Sequence, residues 1–370
     1  MKKMYVLLMT AALMWVGCGK AEAPAPEATA PAKRGDEAAA KPEVKKEPRA
    51  LAREKASGLF APLPENLDSE ANPYTEAKAE LGRALYFDKR LSKNHDISCN
   101  SCHQLDRFGV DNEPTSPGHK GVRGGRNSPT VYNAAAHLSQ FWDGRAEDVE
   151  AQAKGPVLNP VEMAMPDGDA VIKVLKTIPG YVEMFKRAFP EAGEPMTYDN
   201  AAKAIGAFER RLVTPSPWDA FLKGDDDAIT VAQAEGFLAF TEAGCVACHN
   251  GAAVGGASYQ KMGLIKPWQG HDDTGRQQVT GDAKDAMMFK VPSLRNIAKT
   301  GPYMHDGSVA ELREAVALMG ELQLGKELTE AQVTSIVTWL EALTGEVPGD
   351  YVAEPELPAS GPNTPPPDPS

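Results

Sequence analysis

Two copies of the pattern C-x-x-C-H constrain this chain more than any other feature: Cys99-Asn100-Ser101-Cys102-His103 and Cys245-Val246-Ala247-Cys248-His249. The pattern is the attachment signature of c-type haem, in which two thiols bond the porphyrin vinyl groups and the adjacent His reaches the iron. Zinc is the rival for paired CxxC motifs. A zinc ribbon keeps its pairs close together and needs no His directly after the second Cys. Here a long stretch of chain separates the pairs, and both carry that His. A thiol-redox site would need only one pair. Two covalently bound haem c groups are therefore expected.

Four of the five cysteines lie in these motifs; the fifth, Cys18, follows an N-terminal hydrophobic stretch. Lys2-Lys3 and the apolar run Met4 to Val16 form a secretion signal too short to span a bilayer. Trp15-Val16-Gly17-Cys18 resembles a lipoprotein signal, with Trp where Leu is usual; plain secretion with cleavage after Ala21-Glu22-Ala23 is the alternative. The expectation is a lipoprotein-type signal peptide over 1–18, a lipid anchor on Cys18 and a periplasmic location. Residues 19–57, rich in Ala, Pro, Lys and Glu, read as a disordered tether. The Pro-rich tail 347–370 reads as irregular. With 51 acidic against 39 basic residues, net charge −12, the chain is unsuited to nucleic acid and compatible with a basic redox partner.

Between tether and tail the periodicity is helical. Leu81, Leu85 and Phe87 mark a helix before the first motif. Thr230 with Gln233 makes a capping box, opening a helix with Phe237 and Phe240 that ends at Gly244, just before the second motif. Further helices are expected over Tyr181–Ala188 and Asn200–Leu212, and a last one from Thr329 and Gln332 to Gly345. Pro215 and Pro217 set a boundary near 214. The fold expected is mainly α with long loops: cytochrome c-like domains over 58–214 and 215–346, each with one covalently attached haem.

The second axial ligand separates electron transfer from catalysis, because a six-coordinate iron binds substrate only if a ligand leaves. His95, His119, His137, His271 and His305 are unassigned. His119 lies in a Gly-, Ser- and Pro-rich loop that could let a ligand swing away. For the second haem, Met319 shares a helical face with Leu312, Ala315 and Val316, a run expected to end at Gly320; Met262, Met287, Met288 and Met304 remain open.

At this point the chain resembles the bacterial dihaem cytochrome c peroxidase family from about Leu81 to Gly345. The resemblance rests on Ser98-Cys99-Asn100-Ser101-Cys102-His103, Asn127-Ser128-Pro129-Thr130-Val131 and Gln140-Phe141-Trp142-Asp143-Gly144-Arg145. Asn159-Pro160-Val161-Glu162-Met163, Phe289-Lys290-Val291-Pro292, Leu294-Arg295-Asn296 and Pro302-Tyr303-Met304-His305-Asp306-Gly307 extend it. It implies that His103 is the proximal ligand of a low-potential peroxidatic haem with His119 as its removable ligand. His249 and Met319 would be the axial pair of a high-potential haem. Trp142 would relay electrons, Glu162 would be the acid–base group, and Gln152 matches a further distal position. Asn127, Thr300 and Pro302 match positions that bind Ca²⁺, the latter two through backbone oxygens, and hard cations take oxygen ligands. His305 matches a position near the second haem that is not an iron ligand. The activity implied is reduction of hydrogen peroxide to water, with a monohaem cytochrome c or a cupredoxin as the small electron donor. Homodimers are common in the family. Two other readings stand beside it: a methylamine-utilisation type of dihaem enzyme oxidising a partner protein, with Tyr in place of the Met ligand, and a non-catalytic dihaem electron carrier.

Overall fold

A computed structural model describes residues 46–370. The secretion signal, the anchor on Cys18 and the tether up to residue 45 lie outside the described residues. Helix α1 (Pro48–Ala56) comes first, then α2 (Glu76–Phe87), whose cap Thr75 accepts a hydrogen bond from the Lys78 N–H. The single turn α3 (Cys99–Cys102) precedes α4 (Val149–Leu158), α5 (Gly168–Lys176), α6 (Pro179–Ala188) and α7 (Tyr198–Glu209). Leu81, Leu85, Val157, Leu175, Tyr181, Phe185 and Ile205 from these helices form one buried core. The second half holds α8 (Pro217–Leu222), α9 (Val231–Ala243), α10 (Gln277–Thr280), α11 (Leu312–Leu324) and α12 (Glu330–Glu341). Its core is aromatic: Trp218, Phe221, Phe237, Phe240 and Trp339 pack with Ile336, Leu340 and Leu343. Strands β1 (Tyr259–Lys261) and β2 (Met288–Lys290) pair antiparallel, with Tyr259 opposite Lys290. A mainly α chain with long loops is what the periodicity predicts, and both expected capping boxes are formed.

Each half is organised round one close helix crossing, α2 on α7 and α9 on α12. A Cβ at Gly82 would run into the Ala204 carbonyl oxygen, and one at Gly236 into that of Ser335. Backbone cannot yield as a flexible side chain can, so only glycine permits the approach. Gly236→Ala is expected to cost about 1–3 kcal/mol through overpacking, read as a lower midpoint in chemical denaturation. An unchanged midpoint would show that the two helices can separate freely.

The halves also share a loop design that their sequences barely advertise. Asn133 and Asn296 both take left-handed backbone (φ 60° and 61°), as do Phe141 and Met304 (65° and 69°) and Gly144 and Gly307 (69° and 66°). Matching isolated bridges join Gln140 to Ala146 and Tyr303 to Val309. The expected boundary at 214 is a buried junction rather than a free linker: Thr214 Oγ1 accepts from Asn133 Nδ2 at 2.8 Å and Asn296 Nδ2 at 2.9 Å.

One terminal segment differs from expectation, and the other follows it. Residues 48–57, read as tether, instead carry α1, capped by Glu47. Its Ala52 and Ala56 are buried in the second half's core, and Phe60 meets Trp218, Phe237 and Trp339 edge-on. Small alanines make a buried face that hydrophobic periodicity does not register. The tail is mostly irregular yet packed: α13 (Gly349–Val352) sets Tyr351 on Phe208, ring centroids 5.0 Å apart.

Candidate redox centres

The helix before each motif delivers its Cys-Cys-His set. In the first, Ser98 and Ser101 form a capping box that holds α3, and Tyr86 on α2 donates its hydroxyl proton to the His103 carbonyl at 2.7 Å. In the second, Gly244 takes left-handed backbone (φ 103°), ending α9 and starting the 3₁₀ turn Cys245–Ala247. All four thiols are free. Burial pushes Cys102 and Cys245 up to about 11 and Cys99 higher still. Such thiols are not the low-pKa nucleophiles of a disulfide exchanger. Burial also lowers the pKa of both imidazoles, that of His249 to about 4. They are therefore neutral, the form that coordinates a metal. Nδ1 of His103 and of His249 is buried, and backbone oxygens lie near both rings. Among the described residues no cluster of three or more His, Cys, Asp and Glu side chains is placed to hold a metal ion, so the two CxxC pairs do not combine into a zinc site. Two thiols and a neutral His, twice over, fit two c-type haems.

A further group of candidate residues comes from the loop at His119 and the segment at Glu162. The His119 N–H donates to the carbonyls of Glu162 at 2.8 Å and Val161 at 3.1 Å. A Cβ at Gly118 would strike the Val161 carbonyl oxygen, so glycine is what lets the His119 loop dock on the Glu162 segment. His119 is buried, its Nε2 lying 3.3 Å from the Ser370 carbonyl oxygen. Glu162 accepts a hydrogen bond from Asn159 Nδ2 at 2.7 Å. Burial raises its carboxyl pKa against smaller opposing pulls from Asn159 and Arg145. Its charge adds a small upward push to the pKa of Cys102 in the first motif. Gln152 lies half-buried on α4, the helix leading to this segment; among the described residues no hydrogen bond joins it to Glu162.

In the second half, methionines and aromatic rings gather in a cluster of their own. Met319, half-buried on α11, packs in a cluster with Met262, Phe289, Met304, Trp142 and Met287. Four of the five methionine candidates thus converge, and Met288 does not. Gly320 does not end the helix as expected: α11 continues to Leu324 and stops at Gly325 in left-handed conformation (φ 64°). Gly320 instead gives room to the Leu328 side chain. Trp142 belongs to this cluster, its Nε1 donating to the Asn127 carbonyl at 2.9 Å and its ring edge-on to His305 at 6.4 Å. His305 is buried and stacks on Phe289 at 4.2 Å. Asn127 N–H donates to the His305 carbonyl at 2.8 Å, and Asn112 Nδ2 to that of Gly301 at 2.8 Å. The loop bearing Asn127 therefore lies against the segment bearing Thr300 and Pro302.

Two buried polar pairs were not singled out from sequence. Arg295 and Asp219 form an ion pair in the second core, and Lys290 contacts His137. No local pattern announces either, because each joins residues far apart in the chain.

A family model described as di-haem cytochrome c peroxidase matches residues 76–227. The cytochrome c551 peroxidase of Pseudomonas aeruginosa is 48% identical over 84% of this chain and 91% of its own. That of Nitrosomonas europaea is 47% identical over 85% and 90%. Among solved structures, a MauG-like protein associated with microbial copper homeostasis superposes with a TM-score of 0.70. It is 28% identical, and the match covers 79% of this chain and 97% of that one.

Proposed function

Since the chain belongs to the di-haem cytochrome c peroxidase family, we propose that it reduces hydrogen peroxide to water with electrons from a small redox protein. The observation that carries this reading is the asymmetry of the two centres. The loop bearing His119 docks on the segment bearing the half-buried Glu162 carboxylate, while Met319 lies in a separate cluster of methionines and aromatic rings. In this reading each half is a cytochrome c-like domain. Cys99, Cys102 and His103 would hold one haem, and Cys245, Cys248, His249 and Met319 the other. Bound there, haem iron would supply a vacatable coordination site at the first centre and a one-electron store at the second.

The rest falls to the chain. His119, on the Gly118–Gly121 loop, would be a removable ligand to the first haem. Glu162 takes a proton from one peroxide oxygen and returns it to the departing one, so that water rather than hydroxide leaves. Two donor electrons and two protons complete the conversion to two waters. Trp142 bridges the halves as an aromatic stepping point, and Gln152 lines the approach. Asn127, with the backbone oxygens of Thr300 and Pro302, holds a Ca²⁺ that ties the loops together. The acidic surface favours a basic donor, a monohaem cytochrome c or a cupredoxin. The N-terminal signal supports a periplasmic enzyme, anchored through a lipid on Cys18, and family habit a homodimer.

Met319 favours the peroxidase over the methylamine-utilisation type, and Glu162 favours it over a simple carrier, which has no use for a distal carboxylate. The test is oxidation of a reduced small cytochrome c by peroxide in the presence of the holoprotein. Two equivalents of donor oxidised per peroxide are expected. No peroxide-dependent oxidation by either the oxidised or the half-reduced protein would make it a carrier.

A further inference from the structure

Lys290, on β2, is 6% exposed. Among the described residues its Nζ makes one hydrogen bond, with His137 Nδ1 at 3.0 Å. Among the described residues no carboxylate forms an ion pair with it, and burial alone accounts for the lowering of its pKa to about 8. An ammonium that donates to Nδ1 fixes the tautomer with the proton on Nε2, and that nitrogen is buried with no partner. The pair therefore presents two kinds of donor and no acceptor. A buried cation without an anion costs several kcal/mol, so such groups are normally paired. What the pair lacks is a carboxylate.

Its place in the fold says which. The Lys290 N–H donates to the Trp142 carbonyl at 2.8 Å, and Lys290 sits opposite Tyr259 in the β1–β2 ladder. The next residue along β1, Gln260, brings its Nε2 to 3.9 Å from Cys248 Sγ. From the first half, Leu138 N–H donates to the Gly256 carbonyl at 2.9 Å, and Ser139 Oγ meets Tyr259 OH at 2.7 Å. Only glycine at 256 leaves room for the His137 ring. The donors thus lie where the two halves meet, between Trp142 and the second attachment motif.

We propose that Lys290 and His137 form the binding site for a propionate of the haem held at Cys245 and Cys248, and that this cation helps set that haem's potential. The inference rests on the two-haem reading above. A haem brings its own carboxylates to an enclosed site, so the described chain need supply none. A fixed positive charge beside the porphyrin favours the state with the extra electron. It would do so next to Trp142, on the path between the centres.

The experiment uses holoprotein carrying haem ¹³C-labelled at the propionate carboxyls. Redox-difference infrared spectra and potentiometric titrations compare wild type, Lys290→Gln and Lys290→Arg. Label-sensitive carboxylate bands are expected to shift in Lys290→Gln and return toward wild type in Lys290→Arg. The midpoint of the higher-potential haem should fall only in the Gln variant. Bands and midpoint unchanged in Lys290→Gln, with two haems attached, would overturn the proposal and leave the two-haem reading intact. Fewer than two haems on the wild type by pyridine haemochrome would overturn both. If Lys290→Gln does not accumulate, His137→Gln carries the same comparison: shifted labelled bands support the site, and unshifted ones overturn it.

Discussion

Replacing Glu162 by Gln is expected to lower peroxide turnover about 10²–10⁴-fold, the range typical for loss of a positioned acid–base group. Both haems should stay attached and the absorption spectrum of the resting protein should hardly change. Gln keeps the shape and can still meet Asn159, whose Nδ2 donates to Glu162 Oε1 at 2.7 Å, but it cannot accept and release a proton. The pH profile sharpens the test. Burial holds the Glu162 carboxyl above its ordinary value, and the group must be ionised to take a proton. Activity should therefore be lost on acidification at a pH above the usual glutamate range. Arg145, whose charge pulls the other way, supplies the opposite shift: Arg145→Ala should move that limb further up. Measured as kcat/KM against pH, the limb should vanish from the residual activity of Glu162→Gln. Full activity in this variant would remove the proton shuttle from the mechanism.

A second large effect is expected at the ion pair of Asp219 and Arg295. Both side chains are almost wholly enclosed (2% and 0% exposed). Arg295 Nη2 donates to Asp219 Oδ1 at 2.9 Å, and its Nε and Nη2 donate to the Ala252 carbonyl at 2.9 and 2.7 Å. Asp219 also accepts from the Leu63 N–H at 2.7 Å. Burial pulls the Asp219 carboxyl upward, but Arg295 and these hydrogen bonds outweigh it and leave the pKa below the ordinary value. The sign follows from linkage: a depressed folded-state pKa contributes stability above the unfolded value near 4, and that stability fades as pH falls through the folded value. Asp219→Ala strands the guanidinium without a counter-charge and is expected to cost about 3–5 kcal/mol. The double variant Asp219→Leu, Arg295→Met should recover much of that, since hydrophobic replacement of a buried pair is often neutral. Chemical denaturation of the three proteins decides. A single variant as stable as wild type would mean that water reaches the site. The pair also ties α8 to the loop after His249, so heating the single variant should disturb the absorption of its covalently held second haem at a lower temperature.

What was readable from residue order was whatever short-range chemistry controls. The two Cys-Cys-His sets are contiguous, and their thiols and imidazole need only one turn of chain to act together. The helices opened by Thr230 with Gln233 and by Thr329 with Gln332 are specified by side chains three residues apart, and the structure forms both boxes. Repeated motif-length stretches likewise pointed to a family that the comparisons support. Tertiary packing decided the rest, because the free energies involved arise between distant segments. Alanines of α1 have a weak hydrophobic signature of their own; they are buried because aromatic residues from α8, α9 and α12 build a wall for them. Gly320 looks like a helix end in sequence, yet the helix continues because left-handed backbone is needed only at Gly325. The docking of the His119 loop on Glu162, the Thr214 junction and the Lys290–His137 pair all join residues from separate elements. Each depends on desolvating polar groups at a particular meeting of backbones, and no periodicity along the chain encodes where such meetings occur.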